Sequence, residues 1–168
     1  MAAVTALYAH HVRGGIATFE EIPPGEAEMK ARLQAVRELG TPWLVAERDG
    51  RLLGYAHASL YRTRSAYRFV LEDSIYMAPE AAGQGIGGAL LDRLLVECTA
   101  LGYRQMIAMI GDSGNAASIA VHRSRGFRDA GLLHAVGFKF GRWVDSVFMQ
   151  KALGEGDGTL PRQSPRRA

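Results

Sequence analysis

The chain has 168 residues, 48% hydrophobic and 22% charged, which is the size of one globular domain with a sizeable core. No apolar run approaches the roughly 18 residues of a membrane span, and no basic segment followed by an apolar signal core opens the chain, so the reading is cytoplasmic with no membrane partner. A net charge of +3 with scattered arginines argues against nucleic acid, and a lone cysteine, Cys98, excludes an intramolecular disulfide framework and predicts a reducing compartment.

Val4, Leu7, Tyr8 and Val12 recur at helical spacing, so the chain is read to open directly in a helix. A loop with Gly14-Gly15 and Pro23-Pro24 carries Thr18-Phe19-Glu20-Glu21 and leads into a second helix from about Glu26 to Leu39, ended by Gly40. Trp43 to Arg48 and Leu52 to Tyr61 read as strands joined by Asp49-Gly50, a dipeptide suited to a tight hairpin turn. After a basic stretch from Arg62 to Arg68, strand character resumes from Phe69 to Met77 and stops at Pro79.

Next comes Ala82-Gly83-Gln84-Gly85-Ile86-Gly87-Gly88, followed by a helix whose apolar face is Leu90, Leu91, Leu94, Leu95, Cys98 and Leu101. Glycines without a Cβ let successive backbone N–H groups point at one place, and the helix N-terminus adds partial positive charge, so this stretch reads as a pyrophosphate cradle. A buried strand from Gln105 to Ile110, a short helix capped by Asn115 and ending near Arg125, and strands around Leu132 to Phe140 and Val144 to Lys151 complete the domain. The domain is placed at residues 1–153, and 154–168 as a disordered tail in which glycine, proline and arginine replace apolar periodicity.

Strand, proline, Gly-Gln-Gly-Ile-Gly-Gly and amphipathic helix together resemble the acetyl-CoA site of the GNAT acetyltransferases. Thr18-Phe19-Glu20, Gly114-Asn115-Ala116-Ala117-Ser118 through Gly126-Phe127, and Val136 to Trp143 through Asp145 are similar to the branch that acetylates phosphinothricin and methionine sulfoximine. The likeness runs from about Val4 to Leu153. It implies an α+β fold, a mixed and mostly antiparallel sheet flanked by helices. Such domains begin with an edge strand before the first helix. Here that strand is missing, so the expectation is either a native start further upstream or a fold that tolerates the loss.

The resemblance also implies acetyl transfer from acetyl-CoA, without a metal and without a covalent enzyme intermediate, to the primary amine of a small amino acid, by a homodimer. Its cofactor contacts fall on Ile75, Tyr76 and Met77 for the pantetheine arm, on Gly83, Gln84, Gly85, Ile86, Gly87 and Gly88 for the pyrophosphate, and on Asn115 and Ser118. The substrate pocket is expected at Phe19 and along Arg62, Arg64, Ser65, Ala66 and Tyr67, the arginines offering bidentate partners to a carboxylate. A dinucleotide fingerprint is disfavoured, because no acidic residue follows at the required distance from the glycines.

An ammonium group must lose a proton before it attacks a thioester, and Glu72, on the strand leading to the cradle, matches the family's general base. Strand alternation turns Asp73 to the opposite side, where it is read as an ordinary exposed carboxylate. His122 stands where many members carry a tyrosine that protonates the departing thiolate. An imidazole can donate that proton, and a histidine beside Ile119 and Phe127 can equally be a hydrogen-bonded packing residue. Phe140 occupies a position where some phosphinothricin-acetylating members have histidine, which leaves methionine sulfoximine, methionine sulfone and related amino acids equally open. Two other functions stay open at this point: a non-catalytic acyl-CoA-binding module and a protein N-acetyltransferase.

Overall fold

The computed structural model describes residues 1–161 and 165. In chain order the elements are α1 (Ala2–Gly14), α2 (Glu26–Leu39), β1 (Trp43–Arg48), β2 (Arg51–Leu60), β3 (Val70–Met77), α3 (Ile86–Ala100), β4 (Gln105–Gly111), α4 (Ala116–Ser124), β5 (Arg128–Lys139) and β6 (Arg142–Ala152). The strands form one six-stranded sheet in the order β1-β2-β3-β4-β6-β5, antiparallel at every step except β3 to β4. Helix follows strand where the pairing is parallel, because a parallel connection must cross over the sheet. The chain opens in α1, and the edge strand on that side is β1.

Both sheet faces are covered, each by its own apolar cluster. On one face Leu90, Leu91, Leu94 and Cys98 of α3 pack on Ala56, Ala58, Leu71, Met106 and Met149. On the other, Val4, Leu7, Tyr8 and Val12 of α1 and Met29 of α2 pack on Tyr55. Strand alternation decides the allocation: Leu71 and Ile75 point to the α3 face, while Glu72, Ser74 and Tyr76 point to the α1–α2 face. A one-residue slip of β3 would exchange the two sets.

Two hairpins use two-residue turns with both residues left-handed. Asp49-Gly50 has φ of 51° and 74°, as its sequence predicts, and Phe140-Gly141 has 51° and 73°. β5 starts at Arg128, earlier than apolar alternation implies, because Arg128 and Asp129 pair with Gln150 and Met149 before a bulge between Leu133 and Gly137. Asp145 ties that bulge down, accepting from Ala135 N–H at 2.9 Å and from Ser113 Oγ at 2.8 Å.

After β6 the chain turns at Gly154 to Asp157, and Arg104 donates to Thr159 Oγ1 at 2.9 Å. The expectation of a disordered tail also covers residues 162–164 and 166–168, which lie outside the described residues.

The Gly15–Phe19 loop lies tightly against β4 and β5. A Cβ on Gly111 would collide with the Ile16 carbonyl oxygen, and one on Gly137 would stand 2.6 Å from the Phe19 ring. Gly111→Ala is therefore expected to cost about 1–3 kcal/mol in urea unfolding, since backbone must move to admit it. Gly131→Ala in β5, where a Cβ meets nothing within 4 Å, stays within about 0.5 kcal/mol of the parent.

Candidate functional site

Parallel pairing of β3 with β4 covers Val70–Gln105, Leu71–Met106 and Glu72–Ile107, and then ends. β3 stays paired to β2 through Met77, and β4 stays paired to β6 through Gly111, so the two strands separate while each remains anchored on its outer side. The gap is a cleft of about 160 Å³ that passes through the sheet. Glu72, Ser74 and Tyr76 line it from the α1–α2 face, and Asp73, Asn115, Ser118 and His122 from the α3–α4 face.

Glu72 is half-buried at the last paired position, and burial, reinforced by the charge of Asp73, pushes its carboxyl above the ordinary value; Arg62 partly opposes the rise. A carboxylate held in that way is a better base for an ammonium group than a solvated one. Phe19, 37% exposed, roofs the cleft with Thr18. Their loop is held from two sides. Buried Lys139 donates to the carbonyls of Gly15 at 2.9 Å and Thr18 at 2.8 Å, and Arg32 of α2 grips Glu20 at 2.7 and 3.3 Å.

Across the sheet the geometry corrects one expectation. Asp73 does face away from Glu72, yet it is buried, with 7% of its surface exposed, and is paired to His122 with Nε2 to both carboxylate oxygens at 3.3 Å. Local alternation fixed the direction of Asp73; the packing of α4 on that face decided its burial. The other ring nitrogen of His122 donates to the Ser118 carbonyl at 2.8 Å. Both partners are acceptors, which favours protons on both nitrogens. Burial pushes the imidazole down, but the hydrogen bond and charge of Asp73, with the Ser118 carbonyl, outweigh it and leave the pKa raised. His122 is thus held between two acceptors at the edge of the cleft, 4% exposed, with Phe127 set edge-on to its ring at 5.0 Å.

Asn115 caps α4, its side chain accepting from Ser118 N–H at 3.2 Å, and also lines the cleft together with Ser118 and Ile75. The glycine loop lies beyond the end of β3. Gly83 and Gly85 have φ of 74° and 77°, so glycine is required there by conformation, and a Cβ at either would meet only open space. Gly87 and Ile86 pack on Met77 and the core, which places α3's N-terminus beside the strand end. Open N–H groups at a helix start fit the pyrophosphate of acetyl-CoA, and the unpaired stretch of β3 fits its extended amide arm.

Sequence reading missed two cations at this loop. Arg125, at the end of α4, reaches over α3 so closely that a Cβ on Gly88 would collide with its guanidinium, and it pairs with Asp92 at 3.3 Å. Arg48 donates to the Gln84 side chain at 3.2 Å, while Gln84 itself donates to the Glu80 carbonyl at 2.7 Å. Neither arginine lies near the glycines in sequence; the β1–β2 edge and the α4 terminus bring them there.

The Arg62–Tyr67 segment is placed differently from the other candidates. Arg62 lies over the Tyr61 ring at 4.5 Å and, with Tyr67, borders a separate groove with Gln105, Leu132 and Phe148. Arg64, Ser65 and Ala66 are exposed around a 3-10 turn at Ser65–Tyr67. Among these residues Arg62 reaches the cleft electrostatically, through its effect on Glu72.

Asp73→Asn is expected to lower the His122 pKa, because the Ser118 carbonyl alone then opposes burial. Since folding raises this pKa, the pair's stabilisation is complete below about pH 6.5, the ordinary histidine value, and is lost as pH rises through the raised one. Ring-nitrogen NMR through a pH titration checks the shift, and coincident curves for parent and variant would dismiss Asp73 as the cause.

Residues 6–127 match the acetyltransferase (GNAT) family. A phosphinothricin N-acetyltransferase of Alcaligenes faecalis is 60% identical over 95% of this chain and 81% of its own length. An L-methionine sulfoximine/L-methionine sulfone acetyltransferase of Salmonella typhimurium is 39% identical over 92% of this chain and 90% of its own. The crystal structure of a phosphinothricin acetyltransferase from Sinorhizobium meliloti in complex with AcCoA superposes with a TM-score of 0.94 at 51% identity, covering 98% of this chain and 89% of that one. By the family match over residues 6–127 and by these likenesses in sequence and fold, the chain belongs to the GNAT family of acetyltransferases.

Proposed function

We propose that this acetyltransferase moves acetyl from acetyl-CoA to the α-amine of a small amino acid of the phosphinothricin, methionine sulfoximine or methionine sulfone type, by direct attack with Glu72 as general base. The observation that carries the reading is the passage through the sheet, with Glu72 on one side and Asn115, Ser118 and His122 on the other. Acetyl-CoA, when bound, supplies the carbonyl that is attacked and the thiolate that leaves.

The chain's own residues supply the remainder. Gly83 to Gly88 present backbone N–H groups to phosphate, and Ile75 to Met77, paired to β2 but not to β4, present a strand edge toward the gap. Glu72 takes a proton from the incoming ammonium. The Met77 N–H is the candidate donor to charge developing on the carbonyl oxygen; the Ala78 N–H is committed to the Leu53 carbonyl at 2.9 Å, and His11 donates to the Met77 carbonyl at 2.8 Å. His122, fixed by Asp73 and the Ser118 carbonyl and with its pKa raised, can give up its Nε2 proton to the thiolate by exchanging Asp73 for the leaving group. Holding amine and thioester together is worth up to roughly 7–11 kcal/mol in well-aligned cases, so the pinned Phe19 loop matters as much as the base.

Two finer assignments go with this reading. Leu132, Leu133, Val136, Phe138 and Trp143 are exposed on β5 and β6, and an apolar strip of this kind supports a homodimer formed across that edge. Cys98, buried in the core with its thiol pushed up to about 12, is inert and fits a cytoplasmic enzyme. Among the described residues no group of three or more His, Cys, Asp or Glu could hold a metal ion, and no helix is long and apolar enough to cross a membrane.

Glu72→Gln is expected to lower kcat by about 10²–10⁴-fold, with acetyl-CoA binding unchanged by calorimetry. Full turnover in that variant would remove Glu72 from the mechanism. For the parent, kcat/KM should rise with pH through an ionisation above the ordinary glutamate value. Because the Arg62 charge holds Glu72 down, Arg62→Ala should carry that rising limb to higher pH. A limb that stays in place would show that Glu72 does not control it.

A further inference from the structure

Past Glu72 the backbone of β3 faces β2 on one side and the strand gap on the other. One bond decides which residues face which: just beyond β3, Ala78 N–H donates to the Leu53 carbonyl of β2 at 2.9 Å. Hydrogen-bonding groups alternate sides along a strand, so Tyr76 and Ala78 serve β2, whereas Ile75 and Met77 aim both N–H and C=O at the gap. Among these gap-facing groups the Met77 carbonyl is already taken. His11 of α1 reaches it with Nε2 at 2.8 Å, and because a carbonyl only accepts, that nitrogen carries a proton.

The imidazole is half-buried and held from the side, its ring 5.4 Å from that of Tyr76 on β3 and 5.6 Å from that of His10 on its own helix. Burial lowers the His11 pKa, the bond to Met77 opposes this, and the charge of His10 adds to the lowering. Nε2 keeps its proton in the neutral and the cationic ring alike, so the bond persists through the ionisation. The Met77–Ala78 peptide is thus fixed at both ends, its N–H by Leu53 and its C=O by His11. Ala78 is buried in the same apolar cluster as Val4, Leu7 and Val12 of α1, and a Cβ on Gly87 of the cradle would lie 3.5 Å from Met77 Cγ and Sδ. Helix α1, the strand end and the cradle therefore meet at this one peptide.

An open carbonyl here would turn its negative end toward the space in which the attacked thioester gains negative charge, and its peptide would be free to tilt. A donor on that carbonyl removes the first effect and prevents the second. We propose that His11 is a positioning residue for acetyl transfer: by holding the Met77 carbonyl it keeps the Met77 N–H aimed at the thioester oxygen. This rests on the acetyl-transfer reading above. His11 acts through the peptide, so its contribution falls on kcat rather than on the affinity for either substrate, and a displacement of about 1 Å at such a position can cost about 10²-fold in rate.

His11→Leu removes the donor and keeps the bulk, and His11→Gln returns an N–H close to the place of Nε2. In His11→Leu, kcat should fall about 10–100-fold, with KM for both substrates within about threefold of the parent. His11→Gln should recover most of the loss. The loss in His11→Leu should be the same at every pH, because the bond does not depend on the charge of the ring. A second measurement needs no acceptor. The thioester carbonyl stretch of bound acetyl-CoA, read by isotope-edited infrared spectroscopy, should lie below its solution value in the parent and in His11→Gln, and return toward that value in His11→Leu. Should His11→Leu not fold, His11→Asn, whose shorter amide stops short of the carbonyl, takes its place. Parent-like kcat in His11→Leu, a loss confined to KM, no recovery in His11→Gln, or one carbonyl band common to all three proteins would overturn the proposal. A band that responds to His11 in a protein that acetylates no amino acid would support the positioning role and count against the amino-acid reading instead.

Discussion

Loss of pairing between β3 and β4 is the constraint on which everything else depends. A parallel ladder that continued past Glu72 would bury the backbone of Ile75 to Met77 in hydrogen bonds and close the sheet. Because it stops, strand groups inside a packed domain stay available to a ligand, and side chains from both faces of the sheet reach one opening. The cost of leaving such backbone unpaired is tolerable only where a partner or water satisfies it. β2 and β6 hold the outer sides of the diverging strands, so the gap has firm walls.

The two faces of the opening are chemically unlike. Toward α1 and α2 stand a half-buried glutamate with a raised pKa, serine hydroxyls and aromatic rings, an arrangement suited to an amine with an organic side chain. Toward α3 and α4 stand an imidazole held between two acceptors, a capping asparagine and a helix start rich in free N–H groups, which suit a phosphorylated thiol carrier. Strand alternation at Glu72 and Asp73 places two carboxylates in these two environments: one free to take a proton, the other spent on holding His122. The roof over the amine side is pinned by a buried lysine that donates to backbone carbonyls of the Phe19 loop and by the ion pair of Arg32 with Glu20.

Much of this was legible in the sequence because it is local. Four glycines between a strand and an apolar-periodic helix specify the cradle, and the structure gives two of them the positive φ that only glycine adopts freely. Asn115 capping α4, Asp49-Gly50 at the hairpin and the direction of Glu72 against Asp73 follow from neighbours within a few positions. What was not legible is long-range. His122 and Asp73 are 49 positions apart, and nothing around Asp73 distinguishes a buried partner from a solvated carboxylate. Trp43, Tyr55 and His57 alternate as strand residues do, but the cavity of about 640 Å³ that they line on the α1–α2 face exists only once α1 and α2 close over them. The Arg62–Tyr67 segment has the right composition for carboxylate binding, yet Tyr61 draws Arg62 and Tyr67 onto its own ring.

Direct transfer through the strand gap is the central claim, and rapid-quench kinetics with radiolabelled acetyl-CoA tests it most directly. The expected course is label passing from acetyl-CoA to the acceptor amine in step with thiol release, with no acetyl on the protein at any time, in keeping with the burial of Cys98 in the core away from the cleft. An acetylated protein that forms and decays fast enough to carry the turnover would contradict the account.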